Sequence, residues 1–248
     1  MDRFNSLTAA LSTLTSTVAA QASTITSLTN GPCINTLDGY PSNLPELNLT
    51  AVNFCDITDI TQDLRLRNNL LTQINFGSLT RVTGSVDLLA NKLTSVVFGS
   101  LREIAGELDL QSNFLTSITF GSLVSIRDEL DLSNNALTSI TFGSLKVVGS
   151  LDLSDNALIG ISFGSLTSIG GELDLSNNQL TSITFGSLTS IDGFLSLRYN
   201  HLTSITFPAT LTITGSIIVC SNANAASLLA SCQARYGDST CAQTHITC

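Results

Sequence analysis

The feature that most constrains this chain is a repeat of about 22 residues, the scale of solenoid units. The segment from Leu173 to Phe194 reads LDLSNNQLTSITFGSLTSIDGF, and the segment from Leu130 to Ser150 reads LDLSNNALTSITFGSLKVVGS. Aligned units begin at Leu64, Val86, Leu108, Leu130, Leu151, Leu173, Leu195 and Ile217. Every step has the same length except that from Leu130 to Leu151, which is one position shorter, with the deletion expected in the loop after Val148. One such unit cannot bury its own apolar side chains. Stacked units form a continuous core, so the period implies a solenoid rather than a globule.

The columns of the alignment say how each coil is built. An Asn column runs Asn69, Asn91, Asn113, Asn135, Asn156, Asn178, Asn200, Asn222. A Phe column runs from Phe54 to Phe207, and an aliphatic column from Ile60 to Ile213. The LxL pair predicts a strand with both leucines inward and the middle residue outward. An inward Asn in a bend can pair backbone groups that would otherwise be buried without partners. Gly after Phe suits a tight turn. The alternation of SITFGSLTSI reads as strand, so little helix is expected inside the array. The segment from Leu44 to Asp63 reads as a degenerate first coil.

These residues resemble the leucine-rich repeat pattern LxLxxNxL over roughly residues 44–222. The wider unit is similar to the repeats of receptor L domains and related extracellular proteins. The resemblance implies a mainly β, right-handed leucine-rich-repeat solenoid of about eight 22-residue coils. It implies little about function, because such solenoids serve many roles.

Four segments follow. Residues 1–31 form a heptad helix, residues 32–63 an N-terminal cap and first coil, residues 64–222 the solenoid, and residues 223–248 a helical, cysteine-rich C-terminal cap. In the first segment Phe4, Leu7, Leu11, Leu14, Val18, Ile25 and Leu28 recur in steps of three and four, with Gln21 as the polar position. Twelve of residues 5–29 are Ser or Thr, which are modest helix formers. This helix needs a partner to persist. Self-association as an oligomer or filament is one reading, packing on its own solenoid is a second, and a remnant of a leader or anchor is a third. Ala225 to Arg235 reads as a short helix.

The six cysteines, Cys33, Cys55, Cys220, Cys232, Cys241 and Cys248, cluster at the two ends of the array and show no CxxC pair. Disulfides are therefore expected in preference to a metal site. Cys33–Cys55 is the obvious N-terminal pair, and three pairings remain open for the other four. Disulfides and a low-charge, Ser/Thr-rich surface place the chain outside the cell. Asn48-Leu49-Thr50 is then a glycosylation sequon. The segment before Gly31 lacks the apolar core and basic start of a secretory leader, and no stretch is apolar enough to span a bilayer.

Ten Lys and Arg against 19 Asp and Glu give a net charge of −9, which disfavours nucleic acid and anionic membranes. Two surface rows stand out. Asp87, Asp109, Asp131, Asp152 and Asp174 occupy the outward LxL position, roughly 5 Å apart. Such a row suits a cationic ligand, or it is a solvated part of the LDLSNN repeat. Arg65 and Arg67 flank one end, Arg198 and Tyr199 the other. The second row holds Thr119, Thr141, Ser162, Thr184 and Thr206, each in an SxT-like pair. Its Thr-rich ladder resembles those of β-solenoid ice-binding proteins, although polar strand residues need no such role.

Catalysis is not expected. The two histidines, His201 and His245, have no nucleophile partner, and phosphate-loop, HExxH and GxSxG motifs are absent from the sequence. No cofactor or metal is expected. The residues read as a non-enzymatic extracellular recognition, adhesion or assembly subunit that associates with itself, with a protein or glycan as a further ligand.

Overall fold

A computed structural model describes residues 48–52, 54, 57–237 and 241–242. The heptad segment, Cys33, Cys55, Cys248 and His245 lie outside the described residues, as does the side chain of Cys241. Within them the chain is a parallel β-solenoid.

The LxL strands pair in register from coil to coil. Leu64 lies beside Val86, then come Leu108, Leu130, Leu151, Leu173, Leu195 and Ile217. These eight rungs bound seven complete coils. A second row of short parallel strands carries the aliphatic column, from Ile60 beside Val82 to Ile191 beside Ile213. The two rows belong to one 15-stranded sheet, because strands Ser125–Asp131 and Val147–Asp152 run through both. The SxT segments form a separate face of three two-stranded parallel pairs. Among the described residues the one α-helix is Ala225–Tyr236, after the array.

Two spines hold the coils together. Asn113 is typical of the first. Its Oδ1 accepts the Leu93 N–H at 3.0 Å, and its Nδ2 donates to the carbonyls of Leu88, Leu110 and Gln111 at 3.0–3.2 Å. One buried amide thus bonds backbone groups of two coils, sharing the Leu88 and Leu110 carbonyls with Asn91 and Asn135, and a buried N–H such as that of Leu93 left unpaired would cost about 1–3 kcal/mol. The residue before each Asn has a left-handed backbone, from Asn68 to Ser221. The second spine is the Phe column. Rings from Phe54 to Phe207 stack with centroids 5.1–6.1 Å apart. Burial of each such ring contributes about 2–3 kcal/mol. The Gly after Phe has positive φ, and at Gly143 an added Cβ would lie 2.7 Å from the Gly121 carbonyl oxygen.

The short coil corrects one expectation. Ile126 pairs with Val148 and Glu129 with Ser150, so Arg127 and Asp128 stand opposite Gly149 alone. The deletion therefore lies inside a strand rather than in a loop, and its partner strand bulges to match. A side chain at Gly149 would collide with the Arg127 and Asp128 carbonyls.

The C-terminal helix closes the stack. Leu228 and Cys232 are buried, and Tyr236 meets Phe207 edge-on at 5.2 Å. The Tyr236 hydroxyl donates to the Leu211 carbonyl at 3.0 Å. Residues 241–242 add a last parallel rung beside Ile217–Ile218. Cys220 is also buried, and among the described residues no cysteine is a free thiol.

Candidate ligand-binding face

The LxL strands present Asp87, Asp109, Asp131, Asp152 and Asp174 on one face in direct register. Strand alternation puts the residue two positions earlier on the same face. That position holds Glu107, Glu129 and Glu172, in the triplet Glu-Leu-Asp. The face is therefore an acidic strip two carboxylates wide over much of its length. The glutamates were not singled out from the sequence, but the repeated ELD triplet was the available signal.

The aspartates are not simply solvated. Each is half-buried, and its Oδ1 accepts the N–H two residues on. Asp109 bonds Gln111 at 2.9 Å, while Asp131, Asp152 and Asp174 bond Ser133, Ser154 and Ser176 at 2.8 Å. Asp87 makes the same bond to Leu89 at 3.3 Å. The carboxylate thus caps the bend that follows its strand, a turn habit of Asp. This explains the Asp column without a ligand, yet it leaves the second oxygen of each carboxylate free of that bond.

Burial pushes the Asp109 carboxyl up to about 7, and the charges of Asp131, Asp87 and Glu107 add to the rise against the Gln111 N–H. Asp152 is raised by burial first, then by Asp131 and Asp174, and is held back by Ser154. Glu107 and Glu129 are raised by burial and then by neighbouring carboxylates. Desolvation therefore leads, and the repulsion expected from the spacing comes second. Glu129, Asp131 and Asp152 each offer an oxygen within 4.8 Å of the others. Three such oxygens fall short of the roughly six to eight that a calcium ion takes.

The flanks also matter. Arg65 pairs with Asp63 at 2.7 Å and Arg67 approaches Asp87 at 3.6 Å, bordering a cleft of about 270 Å³ with Ser85, Glu107 and Asp109. At the other end Arg198 is exposed. Tyr199 is 44% exposed and holds a left-handed φ of 53°. Between Asp174 and these residues the row continues in Ser196, which is fully buried with an unpartnered hydroxyl. The ladder residues Thr119, Thr141, Ser162, Thr184 and Thr206 are all exposed, on a different face. The Asn48 and Thr50 side chains of the sequon are exposed, and Leu49 between them is buried.

The leucine-rich repeat family model matches residues 172–191, one coil within the stack. That match falls on the unit whose neighbours repeat its geometry in register. The array is leucine-rich-repeat-like. Repeats of this kind generally mediate protein binding. No curated protein matches the chain. Among the described residues no helix is long and apolar enough to cross a membrane.

Proposed function

We propose that this leucine-rich-repeat-like chain is a non-enzymatic extracellular recognition and assembly subunit whose LxL face takes a cationic partner. The observation that carries the reading is the strip of Asp109, Asp131, Asp152 and Asp174 with Glu107, Glu129 and Glu172 beside them. Within the strip Glu107, Asp109, Glu129 and Asp152 are raised by burial and by neighbouring carboxylates. Lys or Arg side chains of a partner protein relieve that repulsion. Arg198 and Tyr199 supply a cation and an aromatic surface at one rim.

The chain associates with itself through Phe4, Leu7, Leu11, Leu14, Val18, Ile25 and Leu28, giving a multivalent oligomer or filament. Multivalency offsets the weakness of each salt-screened contact. Disulfides at both ends and a glycan on Asn48 fit an oxidising, extracellular setting. The buried Cys220 and Cys232 are the cysteines that such bonds would hold at the C-terminal cap.

Calorimetric titration of the full chain with a Lys-rich peptide and an acidic control peptide tests the face. Binding of the Lys-rich peptide, weakening with salt and about tenfold or more weaker in Asp109→Asn/Asp131→Asn/Asp152→Asn, is expected. A folded wild-type chain that binds neither peptide would overturn the reading of this face. Sedimentation of the full chain tests assembly: large species should vanish in Leu11→Asp/Leu14→Asp, and a monomeric wild type would end that part.

A further inference from the structure

The sheet that carries the acidic strip also carries charge of the other sign. On the continuous strand Ser125–Asp131, Ile126 and Leu130 are buried, and Arg127, Glu129 and Asp131 lie on its outer side. Around the aliphatic column Arg81, Arg102, Arg127 and Lys146 are exposed, one on each of four successive rungs. The same four rungs carry Asp87, Asp109, Asp131 and Asp152 at their LxL ends. Each of these rungs therefore holds a cation on one side and a carboxylate on the other, roughly 13 Å apart where the strand is continuous. On the next rungs the basic positions hold Thr167, Ser168, Thr189 and Ser190, so the pattern of two signs stops there.

The basic row has free charge and an apolar centre. Arg127 pairs with Glu103 at 2.7 Å and Arg81 lies 3.9 Å from Asp59. Arg102 and Lys146 make no ion pair among the described residues. Between those two stands Val124, whose N–H donates to the Arg102 carbonyl at 2.8 Å and whose carbonyl accepts the Lys146 N–H at 2.9 Å. Val124 and Val147 are 36% and 43% exposed. An apolar centre inside a charged rim is the build of a contact surface.

We propose that the cationic partner of the acidic strip is the basic row of a second copy of this chain, in a two-fold dimer whose axis runs along the solenoid between the two rows. The inference rests on the reading of the acidic face and names its partner. Rotation about that axis keeps every rung at its own height and exchanges the two sides. Arg102 then stands opposite the partner's Asp109 and Asp109 opposite the partner's Arg102, so each contact is made twice. A two-fold axis set across the solenoid lays acid on acid and is repelled. A basic peptide covers one row, whereas a second copy covers both and buries the valines. The eight rungs, about 34 Å long, and a strand width of about 20 Å give about 700 Å² per copy, near the roughly 800 Å² per partner of a stable interface. Complementary charge at matched heights fixes the register of the two copies.

Sedimentation of the full chain carrying Leu11→Asp/Leu14→Asp, which removes association through the heptad segment, reads the face alone, with folding checked by circular dichroism. A dimer at low salt, about tenfold or more weaker at high salt, is expected. Arg102→Glu/Arg127→Glu and Glu107→Lys/Glu129→Lys, which leave the bend-capping aspartates in place, should each be monomeric. An equimolar mixture of the two should dimerise again, because reversed row then meets reversed row and native row meets native row. A chain that stays monomeric at low salt while it binds the Lys-rich peptide would overturn this inference and leave the reading of the face standing. A dimer indifferent to both reversals, or folded variants whose mixture stays monomeric, would overturn it as well.

Discussion

Two faces of one coil have been built from the same repeat by opposite rules. The LxL face concentrates charge of one sign and half-buries it. The SxT face excludes charge and leaves its hydroxyls in the open. The first stands beside the Asn spine and the second beside the Phe spine. A solenoid permits this division because each outward column is independent of the core, so each can be filled with one residue type in every coil.

The largest effects should come from breaking what the faces share. Phe120→Ala removes a fully buried ring from the stack and should cost about 3–5 kcal/mol in chemical denaturation. Asn113→Ala strands the Leu93 N–H, while the Leu88 and Leu110 carbonyls keep the amides of Asn91 and Asn135, and should cost about 1–3 kcal/mol. A loss under about 1 kcal/mol in Asn113→Ala would mean that water replaces the amide. Next in size is the contrast between the faces. The triple Asn variant of the acidic strip should weaken Lys-rich peptide binding about tenfold or more, since exposed pairs contribute up to about 1 kcal/mol each. Thr141→Tyr/Thr184→Tyr on the SxT face should leave that affinity unchanged.

A smaller effect concerns pH. Asp109 rises to about 7 in the folded chain from about 4 when unfolded. The folded state then holds the extra proton between those values. Its stabilising contribution is complete below about pH 4 and is lost as pH rises through about 7. Melting temperature should therefore fall between pH 5 and pH 8, and Asp109→Asn should flatten the slope. Glu107, Glu129 and Asp152 are raised too and act in the same direction. A melting temperature that climbs from pH 5 to pH 8 would contradict the desolvated strip. The smallest effect belongs to Arg127→Ala. Its pair with Glu103 is short, at 2.7 Å, but the arginine is 67% exposed, so the cost should stay below about 1 kcal/mol.

The coil was legible in the sequence because its period is fixed. Once LxL is placed inward, Asn113 and Phe120 have only one side to face, and the structure puts both there. The bend role of Asp109 was less visible, since the same residue fits a solvated surface or a ligand row. Its rise to about 7 comes first from burial within the stack and then from Asp131 and Asp87, one coil away on either side, and no single repeat contains that surrounding. The bulge at Arg127 and Asp128 was invisible for a similar reason. A deletion in one coil says nothing about how its neighbour absorbs the difference.

That bulge also bears on how the chain finds its partners while folding. Near-identical coils invite a slip in which one coil pairs with its neighbour's neighbour at almost no loss of local complementarity. The one short coil breaks this translational symmetry. Only one alignment sets the single residue Gly149 against the pair Arg127 and Asp128, and a shifted alignment moves that mismatch in length to a coil without the matching bulge. The short coil thus works as an index mark, a point of origin from which the remaining turns are counted in both directions.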